Sequence, residues 1–137
     1  MLNFFSEDID FKVANPLKTK KWIKNASKSE GYEISTLNYI FCSDDYLLEI
    51  NKQYLDHNYF TDIITFDNSE EDNVLEGDIY ISVDRVEENA KTFHSDFASE
   101  MRRVLIHGLL HLAGYEDSTD ALKQAMRGKE DEYLAQF

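Results

Sequence analysis

Apolar residues recur along this chain with two different periods, and the switches between them mark out the elements. A short apolar run, Leu2 to Phe5, reads as an N-terminal strand. Asn15-Pro16 suits a helix start, with proline in the first turn, and opens a helix over 16–30. Leu17, Trp22, Ile23 and Ala26 form its expected buried stripe, and Gly31 is placed to close it. From Tyr32 to Cys42 the pattern alternates loosely through Ile34, Leu37, Tyr39, Ile40 and Phe41, which predicts a strand with an interruption near Asn38. Ser43-Asp44-Asp45 is an N-cap signal, and Leu47, Leu48, Ile50 and Tyr54 continue at helical spacing. Two β-branched runs follow, Asp62 to Phe66 and Asp78 to Val83, and the acidic stretch Asn68 to Asn73 reads as a loop joining them as antiparallel strands. Beyond Asp84 the character is helical: one helix over 84–93, a second over 95–113 with Phe97, Met101, Leu105, Leu109 and Leu112 on its apolar positions, and a third from Ser118 onward. Strands and helices are mixed without strict alternation, so the expected class is α+β, a small mixed β-sheet packed against about five α-helices in one domain over residues 1–137.

Composition supports a packed globular chain: 137 residues, 42% of them hydrophobic and 13% aromatic. No apolar run approaches the roughly 18–20 residues that a membrane span requires. The N-terminus, Met1-Leu-Asn-Phe-Phe-Ser-Glu-Asp, meets acid at once and has no basic segment, so no signal peptide is expected. The single cysteine, Cys42, reads as a buried strand thiol, and a cytoplasmic location follows. Charge changes the picture more. A net charge of −13 repels nucleic acid overall, so an RNA or DNA ligand has to be held by a local basic patch, a metal or a partner. One patch is visible, Lys18, Lys20, Lys21, Lys24 and Lys28, which reads equally as a solvated helix face or a phosphate track.

The candidate chemistry lies in His107-Gly-Leu-Leu-His111-Leu-Ala-Gly114-Tyr-Glu-Asp117, at the C-terminal end of the long helix. Histidines four positions apart on a helix project from one face, one turn apart, where a single ion can bridge them. Gly114 supplies the left-handed residue that ends the helix, and the reversal brings Glu116 and Asp117 back toward the same face. Two histidines and a carboxylate with an open position make a catalytic zinc arrangement. The metzincin proteases carry a glutamate after the first histidine as general base; here that position is Gly108, which argues against peptide hydrolysis. His57 reads as a surface residue in a polar loop, and His94 as a helix-end residue favoured by the dipole. Asp62 and Asp78 are either strand-end structural carboxylates or supports for a metal-binding histidine. Of Arg102 and Arg103, one is expected in solvent, and the other can aim a guanidinium at a phosphate near the metal.

The motif resembles the His-Gly-x-x-His-x-x-Gly-Tyr-Asp-His signature of the YbeY family of endoribonucleases, also called ribosomal RNA maturation factors. Asn51-Lys-Gln-Tyr54, Thr61-Asp62-Ile-Ile-Thr65-Phe66 and Gly77-Asp78-Ile79-Tyr80-Ile81-Ser82 are similar to further family segments, in order and spacing. The resemblance implies an α+β fold, one zinc ion, single-strand-directed endoribonuclease activity, processing of the small-subunit ribosomal RNA 3′ end, and ribosome quality control. The implied partners are ribosomal RNA and the small ribosomal subunit or its proteins, with no membrane and no DNA. Two departures stand out. Asp117 replaces the family's third histidine, preceded by Glu116 in place of aspartate; a carboxylate ligand offsets part of the metal charge, weakens it as a Lewis acid and shifts preference toward harder ions such as manganese. Leu55 stands where the family commonly has an arginine. The expected site is thus His107, His111 and Asp117 as ligands, with His107, His111 and Glu116 in the catalytic set. Water activated by the ion, the RNA 2′-hydroxyl and Glu116 remain alternatives for the base. Rival readings are a ribosome-associated factor whose metal is structural, and a metal hydrolase of another substrate such as a peptidase.

Overall fold

The computed structural model describes residues 1–137. Four strands, β1 (Leu2–Ser6), β2 (Glu33–Cys42), β3 (Ile63–Asp67) and β4 (Val74–Ser82), are joined by five helices: α1 (Pro16–Ser29), α2 (Asp44–Leu55), α3 (Val83–Thr92), α4 (Phe97–Leu112) and α5 (Asp120–Leu134). The sheet order is β1-β2-β4-β3. β1 and β4 run parallel to β2, and β3 pairs antiparallel with β4 across the acidic turn. The sheet is therefore mixed and the class α+β.

Helix starts follow local chemistry. Side chains of Ser43, Ser82, Asp96 and Thr119 accept the backbone N–H groups of Tyr46, Arg85, Ser99 and Leu122, satisfying donors that the first turn of a helix leaves free. Alternation along the strands splits the core in two. Leu37, Tyr39 and Phe41 of β2 and Leu75, Ile79 and Ile81 of β4 meet residues of α1, α3, α4 and α5 in the main core. Cys42, Leu47, Ile50 and Ile64 form a smaller cluster beneath α2. Cys42 is fully buried and free, and burial pushes its thiol up to about 12.

Three expectations change. Leu17 is 82% exposed and does not join the buried stripe of α1, which Thr19, Trp22, Ile23, Ala26 and Ser27 form instead. The helix begins at Pro16, and Leu17 falls on its outward face, with Lys21 and Lys24, while Thr19 of the same turn is buried. β2 is unbroken at Asn38; its one irregularity falls between Ile34 and Thr36. Asn38 instead takes part in a polar ladder, accepting from Asn3 Nδ2 at 2.9 Å and donating to Asp78 Oδ1 at 3.0 Å. β4 begins at Val74, four residues before the expected start, because pairing with β2 extends it.

Candidate metal centre

α4 ends where the sequence places the ligands. Gly114 adopts φ +100, and the Tyr115 N–H donates to the Leu110 carbonyl at 3.0 Å, so the chain turns sharply back. That turn sets the Tyr115 carbonyl 3.0 Å from His111 Nδ1. A carbonyl only accepts, so His111 carries its proton on Nδ1 and keeps the Nε2 lone pair free. His107 is oriented in the same way by a different partner: its Nδ1 lies 2.7 Å from Glu130 Oε2 on α5. Both Nε2 atoms then face Asp117 Oδ2, each at 3.5 Å, with the two rings near perpendicular and 4.5 Å apart. The three ligand atoms lie within 4.8 Å of one another.

A tetrahedral ion with bonds of about 2.0–2.1 Å separates its ligand atoms by about 3.4 Å. The 3.5 Å separations match that edge, and the three partly buried residues fit a metal ion. The site is also electronegative. Burial pulls the His107 imidazole down, but the Glu130 hydrogen bond and the charges of Glu130, Asp117 and Asp62 outweigh it and hold it above the usual value. A cation in the cluster would meet the same field.

Beside the cluster opens a cleft of about 370 Å³ between α3, α4 and α5. His107 and Asp117 form part of its wall, with Asp62, Phe93, Lys123 and Arg127. Phe93 is 63% exposed. The cleft is rich in carboxylates, and burial raises those of Asp62 and Glu100 above the ordinary range, His107 and Arg103 only partly countering this. Arg103 lines it too, while Arg102 points away, stacking over the Phe137 ring at 4.5 Å. The Arg103 guanidinium is already bound, to Glu130 at 2.9 Å and Asp131 at 2.7 Å. Asp62 lies near His107 and bonds Asn89 Nδ2 at 3.5 Å; Asp78 is spent on Asn38. Neither orients a ligand. Glu130, only 5% exposed, does, and it is the functional residue that sequence reasoning missed. Glu116 is exposed on the turn, outside the three-residue cluster. His57 is an exposed loop residue bonded to the Tyr59 hydroxyl at 3.0 Å, and His94 takes a left-handed φ of 56 just past α3. Leu55, 40% exposed, ends α2.

Gly108 has a packing reason. A Cβ there would come within 2.9 Å of Ile63 Cδ1 and 3.0 Å of Ile79 Cγ2, because this side of α4 lies directly on the sheet. A glutamate at this position would face β3 and β4, away from the metal cluster.

A family model described as "Endoribonuclease YbeY" matches residues 3–137. The chain belongs to the YbeY endoribonuclease family. It is accordingly a nuclease, an enzyme that hydrolyses phosphodiester bonds. A relative from Cytophaga hutchinsonii, named "Endoribonuclease YbeY", is 52% identical over 132 residues, covering 96% of this chain and 92% of that protein. Another of the same name, from Christiangramia forsetii, is 48% identical over 136 residues, covering 99% and 94%. A solution structure of a Thermotoga maritima protein superposes with a TM-score of 0.71 at 33% identity, over 98% of this chain and 87% of that one.

Proposed function

We propose that this family member is a zinc-dependent, single-strand-specific endoribonuclease that acts in ribosomal RNA maturation at the small-subunit 3′ end and in ribosome quality control. His107, His111 and Asp117 are its ligand set. The observation that carries this reading is the paired locking of Nδ1 on both histidines, which turns two Nε2 lone pairs and one carboxylate oxygen toward a single point. When bound, a zinc ion there supplies positive charge to a phosphoryl oxygen and lowers the pKa of water; another divalent ion such as manganese fits the carboxylate-containing set as well.

The chain's own residues do the rest. Glu130 holds the His107 ring, and Arg103, bound to Glu130 and Asp131, fixes Glu130 in turn. Glu116, exposed one residue before Asp117, is the proposed acceptor of the nucleophile's proton, whether that nucleophile is water or the RNA 2′-hydroxyl. The open cleft beside the cluster supports a catalytic rather than a closed structural metal. A peptidase reading lacks its base, since position 108 packs on the sheet. The enzyme works as one domain over residues 1–137, in the cytoplasm, with ribosomal RNA and the small ribosomal subunit as partners. His111→Ala is expected to lose both retained zinc and RNA cleavage; full cleavage by that variant in metal-free buffer would refute the proposal.

A further inference from the structure

Between α1 and the first residues of β2 lies an open groove of about 630 Å³, lined by Lys20, Lys21, Lys24, Lys28, Tyr32 and Glu33. Lys21, Lys24 and Lys28 are exposed and spaced three and four residues apart, so they stand in one stripe along the helix. Leu17, 82% exposed, begins the same stripe one turn earlier. The chain has 27 acidic residues and 14 basic ones, yet none of the five lysines of α1 enters an ion pair; Lys52, Arg85, Lys91, Arg103 and Lys129 do, and the remaining unpaired cations, Lys12, Arg102, Lys123 and Arg127, are scattered along the sequence. Lys18 and Lys20 lie over the Phe137 and Phe4 rings, which leaves Lys21, Lys24 and Lys28 without carboxylate or aromatic partner. The metal cleft carries four carboxylates, Asp62, Glu100, Asp117 and Glu130; Arg103 within it is already neutralised, and Lys123 and Arg127 are its unpaired cations. Free positive charge is thus densest in the α1 groove, while the cleft sets Lys123 and Arg127 among four carboxylates. The groove lies between α1 and the start of β2, and the cleft between α3, α4 and α5. A rigid link joins them: the Tyr32 hydroxyl donates to the Ala113 carbonyl at the end of α4 at 3.0 Å, and the Tyr115 hydroxyl donates to Glu30, the C-cap of α1, at 2.7 Å.

We propose that the α1 groove is an anchoring site for the sugar-phosphate backbone of an RNA strand, engaging substrate several nucleotides away from the bond that is cut. This rests on the endoribonuclease reading. Charge complementarity selects the occupant: the groove is cationic, four lysines to one glutamate, on a protein of net charge −13, and a phosphate chain is the ligand such a surface attracts.

The test combines Lys21→Ala, Lys24→Ala and Lys28→Ala in the full chain and measures binding of a long unstructured RNA as a function of salt, then kcat/KM on that strand and on a trinucleotide. Three lost phosphate contacts predict a log Kd against log salt slope shallower by about 2 and, at low salt, weaker binding on the order of tenfold. The ratio of long-strand to trinucleotide kcat/KM falls by the same factor, because a trinucleotide cannot reach both places, and arginine at all three positions restores it. An unchanged slope, or equal losses on both substrates, overturns the proposal. So does a triple variant that alters only self-association, which would assign the groove to the acidic surface of a second copy. Wild-type protein that binds long RNA through the groove but cuts neither substrate with zinc added refutes the endoribonuclease reading and leaves the groove standing.

Discussion

Glu130 shows how much of the site depends on one carboxylate that lies far from the motif. It fixes the proton of His107 on Nδ1 and is itself gripped by Arg103, so its loss frees the ring and leaves a half-buried guanidinium with Asp131 as its one carboxylate partner. Glu130→Gln should weaken zinc binding about 10–100-fold, read by competition with a chelating dye, while the folded state persists; wild-type zinc affinity in that variant would remove Glu130 from the account. His107 and His111 were legible because their relation is local, two positions on one helix face. Glu130 was not. It sits 23 residues after His107 inside Lys129-Glu130-Asp131-Glu132, a run that reads as a solvated face, and only the docking of α5 on α4 buries it. Gly108 was read as a missing base, and packing against Ile63 and Ile79 supplies the reason glycine is there.

At the scale of elements, periodicity and caps placed all four strands and five helices. The errors lay where tertiary pairing decides. Val74-Leu75-Glu76-Gly77 lies between the acidic loop and the expected strand start at Asp78, and pairing with β2 recruits it into the sheet. The most consequential long-range joint is Glu30, only 10% exposed, which accepts the hydroxyls of Tyr115 and Tyr133 and pairs with Lys129 at 3.4 Å. It ties the end of α1 to the turn that carries Asp117 and to α5. Burial raises the Glu30 carboxyl, but the bonds from Tyr133 and Tyr115 and the Lys129 charge prevail and hold it below the usual glutamate range. A depressed folded pKa means that Glu30 stabilises the protein above its unfolded pKa and loses that contribution as pH falls through the folded value. Glu30→Gln should therefore cost on the order of 2 kcal/mol at neutral pH and much less in acid, where the wild type loses the same contribution. Urea melts of both proteins from neutral to acid pH check this; a difference that does not shrink in acid contradicts it.

For the whole molecule, the balance of charge frames the function. On the proposed reading, a protein of net charge −13 handles a polyanion by local means: a cation held among His107, His111 and Asp117, and free lysines gathered on α1. Charge and motif were both open to view in the sequence. What joins them, the Glu30, Tyr32 and Tyr115 contacts across α1, α4 and the turn, required the fold. The central claim is that the two histidines and Asp117 hold the ion on which RNA cleavage depends. Elemental analysis of purified wild type and Asp117→Ala, combined with cleavage of single-stranded RNA by each, tests it most directly. One zinc or equivalent divalent ion per wild-type chain is expected, with cleavage abolished by chelation and restored by the metal, and with both occupancy and cleavage sharply reduced in Asp117→Ala. Undiminished cleavage by chelated wild type, or wild-type metal content and activity in Asp117→Ala, would contradict it.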